Sequence, residues 1–195
     1  MNKKTIALAI VSAATFALVP SCATHGPITQ ANADTSSAAQ IARDSRAALA
    51  SLYTQNPKAR ALGKKAKGVL VFPSVVKGGF MVAGQAGNGA LIRNNGAIND
   101  YYQTTAASYG IQAGVQEFGY ALFLMDSSAF QNINSNEGWE VGASPSLVVV
   151  DKGMAASLST TTINKGTYAF FFNQRGLMGG LGLQGSKITR IQPRP

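Results

Sequence analysis

Apolar residues follow two rhythms along this chain, and the change between them divides it. From Thr35 to Tyr53 they recur at helical spacing: Ile41, Ala48, Leu49 and Leu52 share one face, while Arg43, Asp44 and Arg46 face solvent. Ser36 or Ser37 is available as a cap. Asn56-Pro57 has the form of a cap followed by proline at the first helical position, so a second short helix is predicted to start there. At Gly68 the rhythm changes. The stretch to Arg93, GVLVFPSVVKGGFMVAGQAGNGALIR, is built of β-branched and aromatic clusters cut by Pro73, Gly78, Gly79, Gly84, Gly87 and Gly89. As helix it would lose about 1 kcal/mol per glycine relative to alanine. Inside strands, glycines mark bulges, sharp bends or close backbone approach. The pattern predicts a strongly bent sheet curling towards a barrel.

Asn94-Asn95-Gly96 is a hairpin signal between Leu91-Ile92 and Ile98. Tyr101-Tyr102 and Ser108 to Gln116 continue the strand pattern, and Phe118 to Met125 has the composition of a core strand. Asp126-Ser127 opens a short helix through Ile133. Trp139 to Gly142, Leu147 to Val150, Tyr168 to Phe172 and Leu177 to Leu183 are predicted as further strands. The expected fold class is α+β, with N-terminal helices packed on a strongly bent, mostly antiparallel sheet or a partly closed β-barrel.

The start of the chain belongs to a different class. Lys3 and Lys4 precede an apolar run, Ile6 to Val19, which is short for a membrane span. It ends in Val19-Pro20-Ser21-Cys22, which resembles the lipobox of bacterial lipoproteins. Residues 1–21 are therefore expected to be a lipoprotein signal peptide, with Cys22 as the lipidation site. Residues 22–34 form a polar, flexible tether and residues 35–195 a single domain. The expected location is the cell envelope, lipid-anchored. Ala23, not aspartate, follows the cysteine, which points to the periplasmic face of the outer membrane if the host has two membranes.

The chemical inventory argues against catalysis. Cys22 is the single cysteine, so neither an internal disulfide nor a thiolate pair for zinc is available. His25, the single histidine, lies on the tether, away from any serine or carboxylate partner. Among eight carboxylates, Glu137 and Glu140 form the one close pair, and beside Trp139 they are expected to be solvated loop residues. Gly84 to Gly89 has the glycine density of a phosphate loop but no GKS or GKT ending. No catalytic residue, metal or cofactor is expected.

Charge changes the picture more. The formal net charge of +9 falls to +7 once Lys3 and Lys4 are removed. Between Ser45 and Asn99 there are eight basic residues and no acid, and between Asn94 and Asp151 six acids and no base. Nucleic acid is not the expected partner, because the aromatic residues lie in apolar strands, not among the cations. Lys58, Arg60, Lys64, Lys65 and Lys67 put five cations in ten residues directly after an amphipathic helix. They are the candidate contact to anionic membrane phospholipid.

Val69 to Phe80 (VLVFPSVVKGGF), its glycine-rich continuation to Leu91, Tyr101-Tyr102, Ser108 to Gln116, Trp139-Glu-Val-Gly142 and Gly176 to Ile188 together resemble the SYLF family. This domain occurs in bacterial lipoproteins and in some eukaryotic endocytic proteins. The resemblance covers roughly Ser36 to Gln192. It implies lipid or phosphoinositide binding, actin bundling in some eukaryotic members, and no enzymatic activity. The competing expectation is an envelope scaffold that binds a protein partner and is tethered by its acyl chains without recognising lipid.

Overall fold

The computed structural model describes residues 36–133, 139–141, 147–150, 166–176 and 186–195. Two helices come first, α1 (Ala38–Gln55) and α2 (Pro57–Lys65), then the long strands β1 (Gly68–Arg93) and β2 (Ile98–Leu124). A short helix α3 (Ser127–Asn132) follows, then β3 (Trp139–Val141), β4 (Leu147–Val150), β5 (Thr167–Gly176) and β6 (Ser186–Ile191). The helix starts are those the sequence signals. The Ser37 side chain accepts from the Gln40 N–H, and Asn56 accepts from the N–H groups of Lys58 and Ala59, with Pro57 at the first position. Asp126 caps α3 by accepting from the Ala129 N–H.

Among the described residues the sheet has six strands in the order β3-β6-β2-β5-β4, with β1 on the other edge of β2. All pairs are antiparallel except β4 with β5. The class is α+β, a curled mixed sheet forming a half-barrel with a few helices. β5 and β6 lie in line along one edge of β2: Gln116 pairs with Gly176 and Thr105 with Lys187, at equal intervals on both sides.

One difference from expectation concerns continuity. Pro73 and the glycines suggest a series of short strands, yet β1 and β2 each run through in one piece. Register shifts between Phe72 and Val75, Phe80 and Val82, and Leu91 and Ile92 absorb the interruptions as bulges. The strand therefore bends instead of ending.

Two cores result from the period-two alternation. Leu70, Phe72, Val75, Phe118, Tyr120, Leu122 and Leu124 point into the half-barrel, where Tyr102, Trp139, Ala169 and Ile188 join them. The intervening Val69, Val71, Ala121, Phe123, Phe170 and Phe172 point the other way and pack against Leu49, Leu52, Ala59 and Leu62 of the two leading helices. Burial on both faces explains why Val69–Phe72 and Phe118–Leu124 are apolar without alternation. In α1, Ser45 sits on the buried face, and its hydroxyl donates to the Val71 carbonyl at 3.3 Å.

The strand predicted at Leu177 to Leu183 lies outside the described residues, as do Cys22, His25, Glu137, Gly142 and the segments 1–21 and 22–34.

Candidate functional site

α2 lies against α1 and the sheet through Ala59 and Leu62, and Ala66 continues the contact. Gly63 faces the Tyr53 phenol so closely that a Cβ there would strike its hydroxyl. A side chain at this position would require the Tyr53 ring to move. Opposite the buried side, Arg60 and Lys64 stand four residues apart on the solvent face and are exposed. Lys65 is exposed beside them, and Lys58 is half-buried at the flank.

Lys67 is exposed but fastened. Its ammonium donates to the Ser127 hydroxyl at 2.7 Å. Its N–H donates to the Leu124 carbonyl, and its own carbonyl accepts from the Asn94 N–H. Of the five cations singled out in the sequence, the fold gathers Arg60, Lys64 and Lys65 on one exposed surface. It uses Lys67 to join α2, the end of β2 and the hairpin turn.

The amphipathic face of α1 is buried. Ile41, Ala48, Leu49 and Leu52 are all buried, the last three in the core beneath the helices. This helix presents charge and polarity outward, and its apolar stripe already has a partner.

At the hairpin-turn end of the β1–β2 pair, Asp100 is buried between two arginines. Arg93 reaches it at 2.8 Å and Arg190 at 2.5 Å. The Arg93 guanidinium also stands over the Phe130 ring, 5.2 Å from its centroid. Arg46 of α1 donates to the Gly96 carbonyl in the turn. This ion triad closes the polar end of the inner core, and sequence reasoning missed it. A partial signal exists, since Arg93 and Asp100 flank the Asn94-Asn95-Gly96 turn, but only the register shift between Leu91 and Ile92, which pairs Leu91 with Asp100, brings the two to one face. Arg190 carries no local signal, because only the β2–β6 register brings it there.

Three ionisable groups are strongly shifted. The Tyr102 phenol is pushed up to about 12, chiefly by burial and then by the Asp100 charge, against the opposing pull of Arg190 and Arg93. Asp126 is pulled down to about 2 by hydrogen bonds from the Ala129 N–H, the Ser128 hydroxyl and the Gly166 N–H. Burial alone drives the Tyr120 phenol upward. Glu140 is exposed and faces Lys187 across the β3–β6 pair. Gly84 to Gly89 lies wholly within β1, with no helix after it. Among the described residues no group of three or more His, Cys, Asp or Glu has metal-binding spacing, and no helix is long and apolar enough to cross a membrane.

Residues 105–192 match the Ysc84 family model, described as Las17-binding protein actin regulator. Over these residues the chain is similar to the SYLF family. A lipid-binding or actin-regulator-like module is the coarse function of such a domain. The matched segment takes in most of β2, α3 and β3 to β6, while the basic helix α2, with α1 and β1, precedes it. No curated protein matches the chain.

Proposed function

We propose that this protein is a membrane-anchored lipoprotein whose SYLF domain meets anionic phospholipid through α2. The observation that carries this reading is the exposed set Arg60, Lys64 and Lys65 on a helix with no acidic residue, docked on a sheet that already buries the apolar face of α1. Each cation near an anionic surface contributes about 1 kcal/mol, falling off within a Debye length of roughly 8 Å at physiological salt. Three or four together orient a domain that Cys22 acylation holds at the membrane. Capture from solution by the same patch is weak. Contact is electrostatic, because no apolar helix face remains to enter the lipid. The protein acts without catalysis, in the cell envelope.

The test uses residues 23–195, without the acyl group, in flotation with anionic and neutral vesicles. Anionic vesicles should carry the protein, with a preference that fades as salt rises and when Arg60, Lys64 and Lys65 are changed to Gln. Lys67 is left in place because of its bond to Ser127. Equal flotation with neutral vesicles would remove the basic-patch mechanism. Acyl labelling that survives Cys22→Ala would remove the anchor.

The family description names an actin regulator that binds a protein partner, and this favours a second reading. Here the domain is an envelope scaffold, held by its acyl chains, that recognises protein and ignores lipid. A stoichiometric envelope protein recovered by pull-down, with no flotation on anionic vesicles, would select it.

A further inference from the structure

Phe80 and Val115 are the large apolar side chains most open to water among the described residues, at 75% and 63% exposure. They sit together. Gly78 pairs with Val115 and Phe80 with Ala113, so all four occupy one face of the β1–β2 ribbon. That face is the outer one, since Val75 and Phe118 on the alternate positions belong to the inner core. At the same level the inner face carries the glycine pair Gly79 and Gly114, the latter at φ 135°. A register shift follows directly between Phe80 and Val82. The ribbon therefore turns around a point with no side chains on its concave side, and the convex side lifts Phe80 and Val115 outward. Glu117 and Arg175, paired across β2 and β5 and both exposed, form a polar rim.

We propose that this apex is a wedge that enters the interfacial layer of a lipid bilayer. A stable protein interface buries about 800 Å² on each partner, and an apex of two large apolar side chains falls far short of that. Lipid demands no complementary shape, and an aromatic ring with a polar rim suits the boundary between headgroups and acyl chains. The apex lies twelve residues along β1 from its start beside α2, up to roughly 40 Å at strand rise. It is a second contact, distinct from the basic helix, and it shares with that reading only the premise that the protein works at a membrane.

The full-length chain is reconstituted into vesicles of neutral phosphatidylcholine brominated in the acyl chains. Phe80→Trp adds one indole to Trp139, which is 7% exposed in the inner core and gives a fixed baseline. The added emission should shift to the blue and lose roughly half its intensity to bromines about 5–10 Å below the headgroups. High salt should leave the quenching unchanged, and Val115→Asp in the same background should abolish it. Ala113→Trp, exposed on the same face, reports in its place if the first variant fails to fold. Water-like emission that ignores the bromines overturns the proposal. So does an indole shielded in a concentration-dependent way without lipid, since that gives the apex to a second copy of the chain. Salt-insensitive quenching tests the apex and salt-sensitive preference for anionic vesicles tests α2, so the two readings fail separately.

Discussion

Gly89 lies against the main-chain carbonyl of Val71, in the first half of the same strand, and a Cβ there would collide with that oxygen and with the Phe72 ring. Gly87 stands in the same relation to Ser74, whose carbonyl oxygen would be 2.6 Å from an added Cβ. These two contacts let β1 fold back over itself and enclose the inner core. Gly89→Ala should therefore cost about 1–3 kcal/mol, the range for forced overpacking. Gly84→Ala is the control, because the nearest atom to its Cβ is the Ala106 carbonyl oxygen at 4.0 Å. Denaturant unfolding of the two variants checks the difference, and equal losses would contradict the fold-back.

The ion triad makes a second prediction. Asp100→Asn removes the single charge that Arg93 and Arg190 share. Loss of one partner from a fully buried pair costs about 3–5 kcal/mol. The arginine side chains are 39% and 59% exposed, so water screens them and the expected loss is nearer 1–3 kcal/mol. Arg190→Gln should cost less than about 1 kcal/mol, since Arg93 remains. The double variant should lose less than the sum of the two, by the coupling expected of contacting residues. Additive losses in a thermal or denaturant series would show that the pairs act independently.

How much of this was legible beforehand follows the range of each interaction. The caps at Ser37, Asn56 and Asp126 are local, and the sequence signals place each helix within about three residues. Two-sided burial at Val69–Phe72 and Phe118–Leu124 is equally visible as unbroken apolarity. Pro73 misleads, because a proline that would stop a regular strand is tolerated at a bulge, and only the partner strand determines which occurs. Arg190 is beyond any local rule, ninety residues from Asp100 in sequence. The basic run shows the same limit. Composition finds five cations together, but which are displayed depends on the contacts of Ala59, Leu62 and Ser127.

Acid and alkali should act at different places. Asp126 has a folded pKa lowered to about 2 from 3.8, so its contribution is fully present above the unfolded value and is lost as pH falls from about 4 through about 2. Asp126→Ala should flatten the acid limb of a stability–pH curve in that window and cost about 1 kcal/mol at neutral pH through the loss of the cap. Tyr102 has the opposite displacement. Its folded pKa is raised from 10.0 to about 12, so the neutral phenol favours the fold below pH 10 and that advantage disappears as pH climbs through about 12. Tyr102→Phe should remove this alkaline component, read as a smaller fall in melting temperature between pH 10 and 12.

The last prediction concerns whether α1 leaves the sheet when lipid is present. Leu49 and Leu52 are buried with Leu62, Val71 and Phe123, so releasing the helix would expose the outer face of the sheet as well as its own apolar stripe. Removing one such contact by Leu52→Ala or Leu62→Ala costs about 2–4 kcal/mol, and full release would forfeit several at once. A surface attraction of about 1 kcal/mol per cation does not offset that. The amides of Leu49 and Leu52 should therefore keep their hydrogen-exchange protection when anionic vesicles are added, while the exposed cations of α2 provide the contact. Leu52→Ala should lower stability without lowering vesicle binding of the folded fraction. Loss of protection across α1 on adding lipid, with binding that then resists salt, would replace electrostatic contact by helix insertion.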